Sequence, residues 1–128
     1  MNRVTGIGGI FIKSADPQRM RDWYKKHLGI QIEDWGGTSF EWKNAQNPEG
    51  IGSTVWSIFE ASSGYFDPSK ATFMVNYRVD KLAPLLDALR AEGCNVAEKS
   101  DDSEYGKFGW VFDPDGNKIE LWEPPEGQ

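Results

Sequence analysis

The sequence predicts an α+β domain made of two βαβββ modules, related by a pseudo-two-fold axis and joined into one concave mixed sheet. Three observations predict it. The order strand, helix, strand, strand, strand occurs twice, with a repeat of about 64 residues that points to two equal modules. Apolar side chains alternate at strand spacing in some segments and recur at helical spacing in two others. The chain has 128 residues, enough for one compact core and too few for two. We therefore expect a single domain spanning 1–128, with module one at 4–60 and module two at 71–124.

Val4 to Lys13 reads as the first strand, with Ile7 and Phe11 on one face and Ile10 and Ile12 on the other. The Gly8-Gly9 pair interrupts it, as glycine does at a bulge or a close approach. Asp16 followed by Pro17 is an N-cap and first-turn proline. Met20, Trp23, Tyr24, His27 and Leu28 then recur at helical spacing before Gly29 closes the helix. Three strands are expected next: Ile30 to Asp34, Thr38 to Trp42, and Ser53 to Glu60. The first two would be joined by a tight turn at Gly36-Gly37, and the last two by the Asn-, Pro- and Gly-rich loop Asn44 to Gly52.

After the loop Ala61 to Lys70, the pattern returns. Ala71 to Val79 reads as a strand, and Asp80 is expected to cap a helix carrying Leu82, Leu85, Leu86 and Leu89, with Pro84 in its first turn and Gly93 beyond its end. Asn95 to Glu98, Gly106 to Phe112 and Asn117 to Glu123 complete the module. The turn Asp113-Pro114-Asp115-Gly116 joins the last two, because Pro114 presets φ and Gly116 supplies a positive φ. Alternation puts Ile119 and Leu121 on one face and Glu120 and Trp122 on the other. Glu120 is thereby directed to the concave side.

Composition narrows the function classes. A net charge of −6 disfavours nucleic acid, whose binding needs clustered Lys and Arg. It favours a neutral or cationic small molecule. No apolar run approaches the roughly 20 residues of a membrane span. The N-terminus has no secretory pattern and Cys94 stands alone, so a reducing cytoplasm is expected. Cys94 has no histidine nearby in sequence to activate it. Six tryptophans are many for this length, and large aromatics serve cores and interfaces alike.

Two stretches resemble the vicinal-oxygen-chelate superfamily of glyoxalases, bleomycin-resistance proteins and extradiol dioxygenases. Trp23-Tyr24-Lys25-Lys26-His27-Leu28-Gly29 is similar to the run that ends the family's first helix. Phe112-Asp113-Pro114-Asp115-Gly116-Asn117-Lys118-Ile119-Glu120-Leu121 resembles its final hairpin and strand. The resemblance implies homodimers and, in the enzymes, a divalent metal held by four His, Glu or Gln side chains from the first and last strands of each module. Carried onto this chain, those positions are expected at Gly9, Trp56, Met74 and Glu120, of which only Glu120 is a metal donor. The one histidine, His27, ends a helix and suits its dipole. No metal ligands and no cofactor are therefore assigned, and a divalent ion is the weaker alternative.

With those positions filled by Gly9, Trp56 and Met74, the cleft is expected to be aromatic with one acid at its base. Alternation adds Phe11, Ile58, Thr72, Asn76 and Trp122 to the lining. Such a site can stack a planar or cationic group on indole faces and pair it with a carboxylate. The first reading is thus a homodimeric, metal-free small-molecule-binding protein. The second is a glyoxalase-like lyase or isomerase, or a dioxygenase-related enzyme, using Glu120 as base or metal ligand, with Asn76 or Arg78 as polar partner to an enolate. The third is a protein-interaction paralogue whose cleft is filled by its own side chains.

Overall fold

The computed structural model describes residues 3–43 and 50–128. Strand β1 (Val4–Ser14) leads to helix α1 (Pro17–Leu28), then to β2 (Gly37–Lys43) and β3 (Ile51–Glu60). A single 3-10 turn (Gly64–Phe66) precedes β4 (Phe73–Val79), helix α2 (Leu82–Ala91), β5 (Asn95–Val96), β6 (Asp101–Ser103), β7 (Gly106–Phe112) and β8 (Lys118–Glu123). The strands form one open, mixed sheet in the order β2-β3-β1-β4-β8-β7-β5, with β6 paired to β7. The fold is α+β, as the sequence predicts. No helix among the described residues is long and apolar enough to cross a membrane.

The two halves meet where β1 runs antiparallel to β4. On either side of that seam the geometry repeats, since β1 pairs in parallel with β3 and β4 with β8. Helix α1 begins as expected: the Asp16 carboxylate accepts from the Arg19 amide at 3.1 Å, with Pro17 in the first turn. Gly29 ends it at φ +70°, a left-handed value that suits glycine. Arg21 pins the helix across β3 by donating to the Ile58 carbonyl at 3.1 Å. Helix α2 covers the other half of the same face, where Leu82, Leu85 and Leu86 are buried against Val79 and Leu121.

Three expectations are corrected. Ile30–Asp34 forms no strand; only a tight turn survives, in which the Glu33 amide donates to the Gly37 carbonyl at 2.8 Å. Module one is therefore βαββ. Module two gains β6, whose Asp101-Asp102-Ser103 has little of the β-branched or aromatic character that marks strands. Asp80 does not cap α2. The Leu82 amide instead donates at 2.8 Å to Glu123, a carboxylate brought from β8. Most of the loop expected over 44–52 lies outside the described residues.

Candidate functional site

The face of the sheet opposite the helices carries a second apolar cluster of Phe11, Phe66, Met74 and Trp110. Beside it lies a cavity of about 370 Å³. Glu120 stands at its floor and is only 2% exposed. A buried carboxylate needs donors to offset its lost hydration, and the fold brings three. Asn76 Nδ2 donates to Oε1 at 2.6 Å, from the β4 position that pairs with Glu120. Trp110 Nε1 donates to Oε2 at 3.0 Å, from the β7 position that pairs with it on the other side. The Tyr65 hydroxyl donates to Oε2 from the 3-10 turn after β3.

Burial raises the affinity of Glu120 for a proton above the ordinary carboxylate range, and the donations from Tyr65, Asn76 and Trp110 oppose that shift. The Tyr65 phenol is pushed up in turn, first by burial and then by the Glu120 charge. Lys118 donates to the Tyr65 carbonyl at 2.8 Å and lies over the Tyr65 and Trp110 rings, its own pKa pulled down by burial. The Trp122 indole forms a wall of the cavity. Its ring stacks on Phe108 at 6.2 Å and its Nε1 donates to the Tyr105 carbonyl at 2.8 Å. Behind it the Arg78 guanidinium lies over the rings of both Trp42 and Trp122, at 5.4 and 5.1 Å.

The strand pairing relocates two of the four positions that the family resemblance implied. Glu120 pairs with Asn76 across β4 and β8, while Gly9 pairs with Val55 across β1 and β3, and Gly9 also pairs with Asn76 across the seam. The ring of four is thus Gly9, Val55, Asn76 and Glu120. Trp56 is placed on the helix face, edge-on to Tyr24 at 4.9 Å, and Ile58 shares its parity. Neither lines the cavity. Met74 has the expected facing but lies two residues along, in the apolar cluster. Thr72 is exposed and precedes β4, its carbonyl accepting from the Lys13 amide. Phe11, Asn76, Glu120 and Trp122 do come together at the cavity. Cys94 is exposed beyond the end of α2.

Sequence reasoning missed Tyr65 and Trp110 as partners of Glu120, and Gly8 as the glycine that faces the cavity. A Cβ built on Gly8 would stand 2.1 Å from Asn76 Oδ1 and 2.9 Å from the Trp122 ring. Trp110 was open to inference, because the Asp113–Gly116 turn fixes which β7 residue faces Glu120. Tyr65 carries no such signal in its loop.

The donor set does not fit a divalent ion. A side chain on Gly9 is absent, Val55 has no donor atom, and three of the lone pairs on Glu120 already accept hydrogen bonds. Among the described residues, no group of three or more His, Cys, Asp or Glu could hold a metal. A larger hollow of about 710 Å³ runs along α1 from Ser14 to His27. Its lining is mostly exposed helix surface with no buried polar group, whereas the smaller cavity holds the buried Glu120 and Asn76.

No curated protein matches the sequence. Among solved structures, methylmalonyl-CoA epimerase from Mycobacterium tuberculosis is similar at 20% identity and a TM-score of 0.62, covering 98% of this chain and 91% of that one. A Streptomyces coelicolor methylmalonyl-CoA epimerase variant in complex with 2-nitronate-propionyl-CoA matches at 14% identity and TM-score 0.66, over 98% of each chain. A superfamily member from Vibrio splendidus 12B01 matches at 14% identity and TM-score 0.55, over 93% of this chain and 97% of that one. At such identities the likeness shows the fold. The sequence itself matches over residues 6–121 the family described as Glyoxalase/Bleomycin resistance protein/Dioxygenase superfamily, and the chain belongs to that superfamily.

Proposed function

We propose that this chain is a metal-independent small-molecule-binding member of the superfamily, holding a neutral or cationic molecule in the cavity over Glu120. The observation that carries this reading is the cavity floor: a buried carboxylate fixed by three donors, walled by Phe11, Phe108 and Trp122, without a ligand set for a metal. Aromatic faces and a fixed anion are suited to a flat or positively charged guest. We further propose a cytoplasmic homodimer. Exposed Trp23, Leu28, Trp35 and Phe40 supply apolar surface for a second copy, and light scattering on purified protein should give twice the chain mass.

Titration with nickel, zinc, manganese and ferrous ions, followed by thermal-shift screening against small aromatic cations and neutral aromatics, tests the binding role. We expect no stoichiometric tight ion and a positive shift with at least one organic probe. A tight ion, or no organic binder, overturns the reading.

A second reading is an isomerase, favoured by the raised proton affinity of Glu120 and by the fold shared with methylmalonyl-CoA epimerases. The donors into Glu120 argue against it, since each stabilises the anion and lowers its strength as a base. Incubation of methylmalonyl-CoA with the protein in D₂O separates the two readings. Catalysed exchange of the α-proton would establish the isomerase, and its absence is the expected result.

A further inference from the structure

Asn76 is 3% exposed, and its Oδ1 is a buried side-chain oxygen with no hydrogen-bond partner among the described residues. The amide cannot turn over to relieve it, because Nδ2 is committed to Glu120 Oε1 at 2.6 Å and the reversed amide would set oxygen against oxygen. Oδ1 is therefore held on the side of Gly8, within the space that a side chain there would fill. Gly8, Asn76 and Glu120 all line the same cavity. A carboxylate can accept about four hydrogen bonds, and Glu120 accepts three. Two neighbouring acceptor atoms at the cavity floor thus have unused capacity, Asn76 Oδ1 neutral and shielded from solvent, Glu120 Oε1 anionic. Among the described residues two acids, Glu104 and Glu120, line the cavity, and no Lys or Arg does.

We propose that this cavity selects a nitrogen cation bearing at least two N–H donors, of the amidinium or guanidinium class, which bridges Asn76 Oδ1 and Glu120 Oε1 while its flat body lies against the Trp122 and Phe108 rings. The inference rests on the binding role proposed above and narrows it to a ligand class. A quaternary ammonium satisfies the charge and the rings but leaves Oδ1 without a donor. A neutral amide offers donors but no charge, and a carboxylate is repelled.

Calorimetric titration with benzamidine, benzyltrimethylammonium, benzamide and benzoate tests this, since all four share one ring. Benzamidine should bind at least about tenfold more tightly than benzyltrimethylammonium, and benzoate should not bind. Glu120→Gln supplies the second arm. Its amide oxygen can accept from Tyr65 and Trp110, while its NH₂ faces Asn76 and turns that amide over, so that Nδ2 now faces the cavity. Benzamidine binding should then fall at least about tenfold with the folded thermal transition retained. Equal affinity for the two cations, or unchanged benzamidine binding in Glu120→Gln, overturns the donor-pair inference while leaving a cation-binding cavity. Failure of all four probes overturns the inference and the binding reading together.

Discussion

Removing the Tyr65 hydroxyl isolates one of the three donors that hold Glu120, and its effect should depend on pH. A hydrogen bond to a charged group contributes about 1.5–3 kcal/mol net. The acceptor is 2% exposed but Tyr65 itself is 39% exposed, and water can partly replace the phenol, so Tyr65→Phe should lose about 1.5–2 kcal/mol at pH 8. For a domain of this size that is a fall in Tm of roughly 5–10 °C. Tyr65 favours the anion, so its loss also lifts the Glu120 pKa further.

The sign follows from proton binding. With its pKa raised above the ordinary 4.5, Glu120 binds a proton more tightly folded than unfolded. Its contribution to stability therefore falls as pH rises from the unfolded pKa through the folded one, and is constant above that. In Tyr65→Phe the fall extends to higher pH. Below the folded pKa both proteins carry a neutral Glu120, and the loss should shrink to about 0.5–1.5 kcal/mol, the range for a neutral bond. Urea unfolding of both proteins over a series from pH 8 down through the acidic range measures the difference directly. A loss that stays constant, or grows, as Glu120 becomes protonated would show that Tyr65 does not stabilise a carboxylate.

Three further substitutions address the surrounding structure. Gly8→Ala places a methyl group 2.1 Å from Asn76 Oδ1 and 2.9 Å from the Trp122 ring; it should destabilise by about 1–3 kcal/mol in chemical unfolding, as overpacking does. Leu86→Ala empties part of the buried cluster between α2 and the sheet and should lose about 2–5 kcal/mol by the same measurement. Glu123→Ala removes the carboxylate that accepts from the Leu82 amide at 2.8 Å, and a loss of about 1 kcal/mol is expected for a helix cap supplied by tertiary contact; an unchanged midpoint would mean solvent caps α2 equally well.

The hairpin of β7 and β8 was the most legible part of the sequence, because its turn residues fix the register and alternation then directs Glu120 to the concave face. Alternation failed in β3 for a physical reason. Val55, Ser57 and Phe59 share one face and Trp56 and Ile58 the other, and apolar residues stand on both because the helices and the second apolar cluster cover the two sides of the sheet. Period two gives the spacing of faces but not which face is inward. In β4 the facing was legible and the position was not: Met74 and Asn76 share a parity, and only the pairing with Glu120 selects Asn76. The bulges where β1 passes Gly6 and Gly9 shift the register again, and Gly8, without a side chain, gives alternation nothing to read. Tyr65 reaches Glu120 across a sequence separation of 55 residues from a loop, a contact that no local pattern encodes.

The pseudo-two-fold arrangement offers an internal comparison that bears on why the polar cluster exists. Gly9 and Val55 occupy in module one the paired positions that Asn76 and Glu120 occupy in module two. The sheet is continuous through both, so a polar group is not needed to close it. Burying a carboxylate is expensive even with good partners, and an apolar residue of similar volume is often equally or more stabilising. The orphaned Asn76 oxygen adds about 1–3 kcal/mol to the cost. Module two thus carries a stability penalty that module one avoids with the same backbone pairing. On the binding role proposed above, that penalty would be relieved by a donor group that enters the cavity and meets Asn76 Oδ1 and Glu120 Oε1, and the asymmetry between the halves is the feature that supports the proposal.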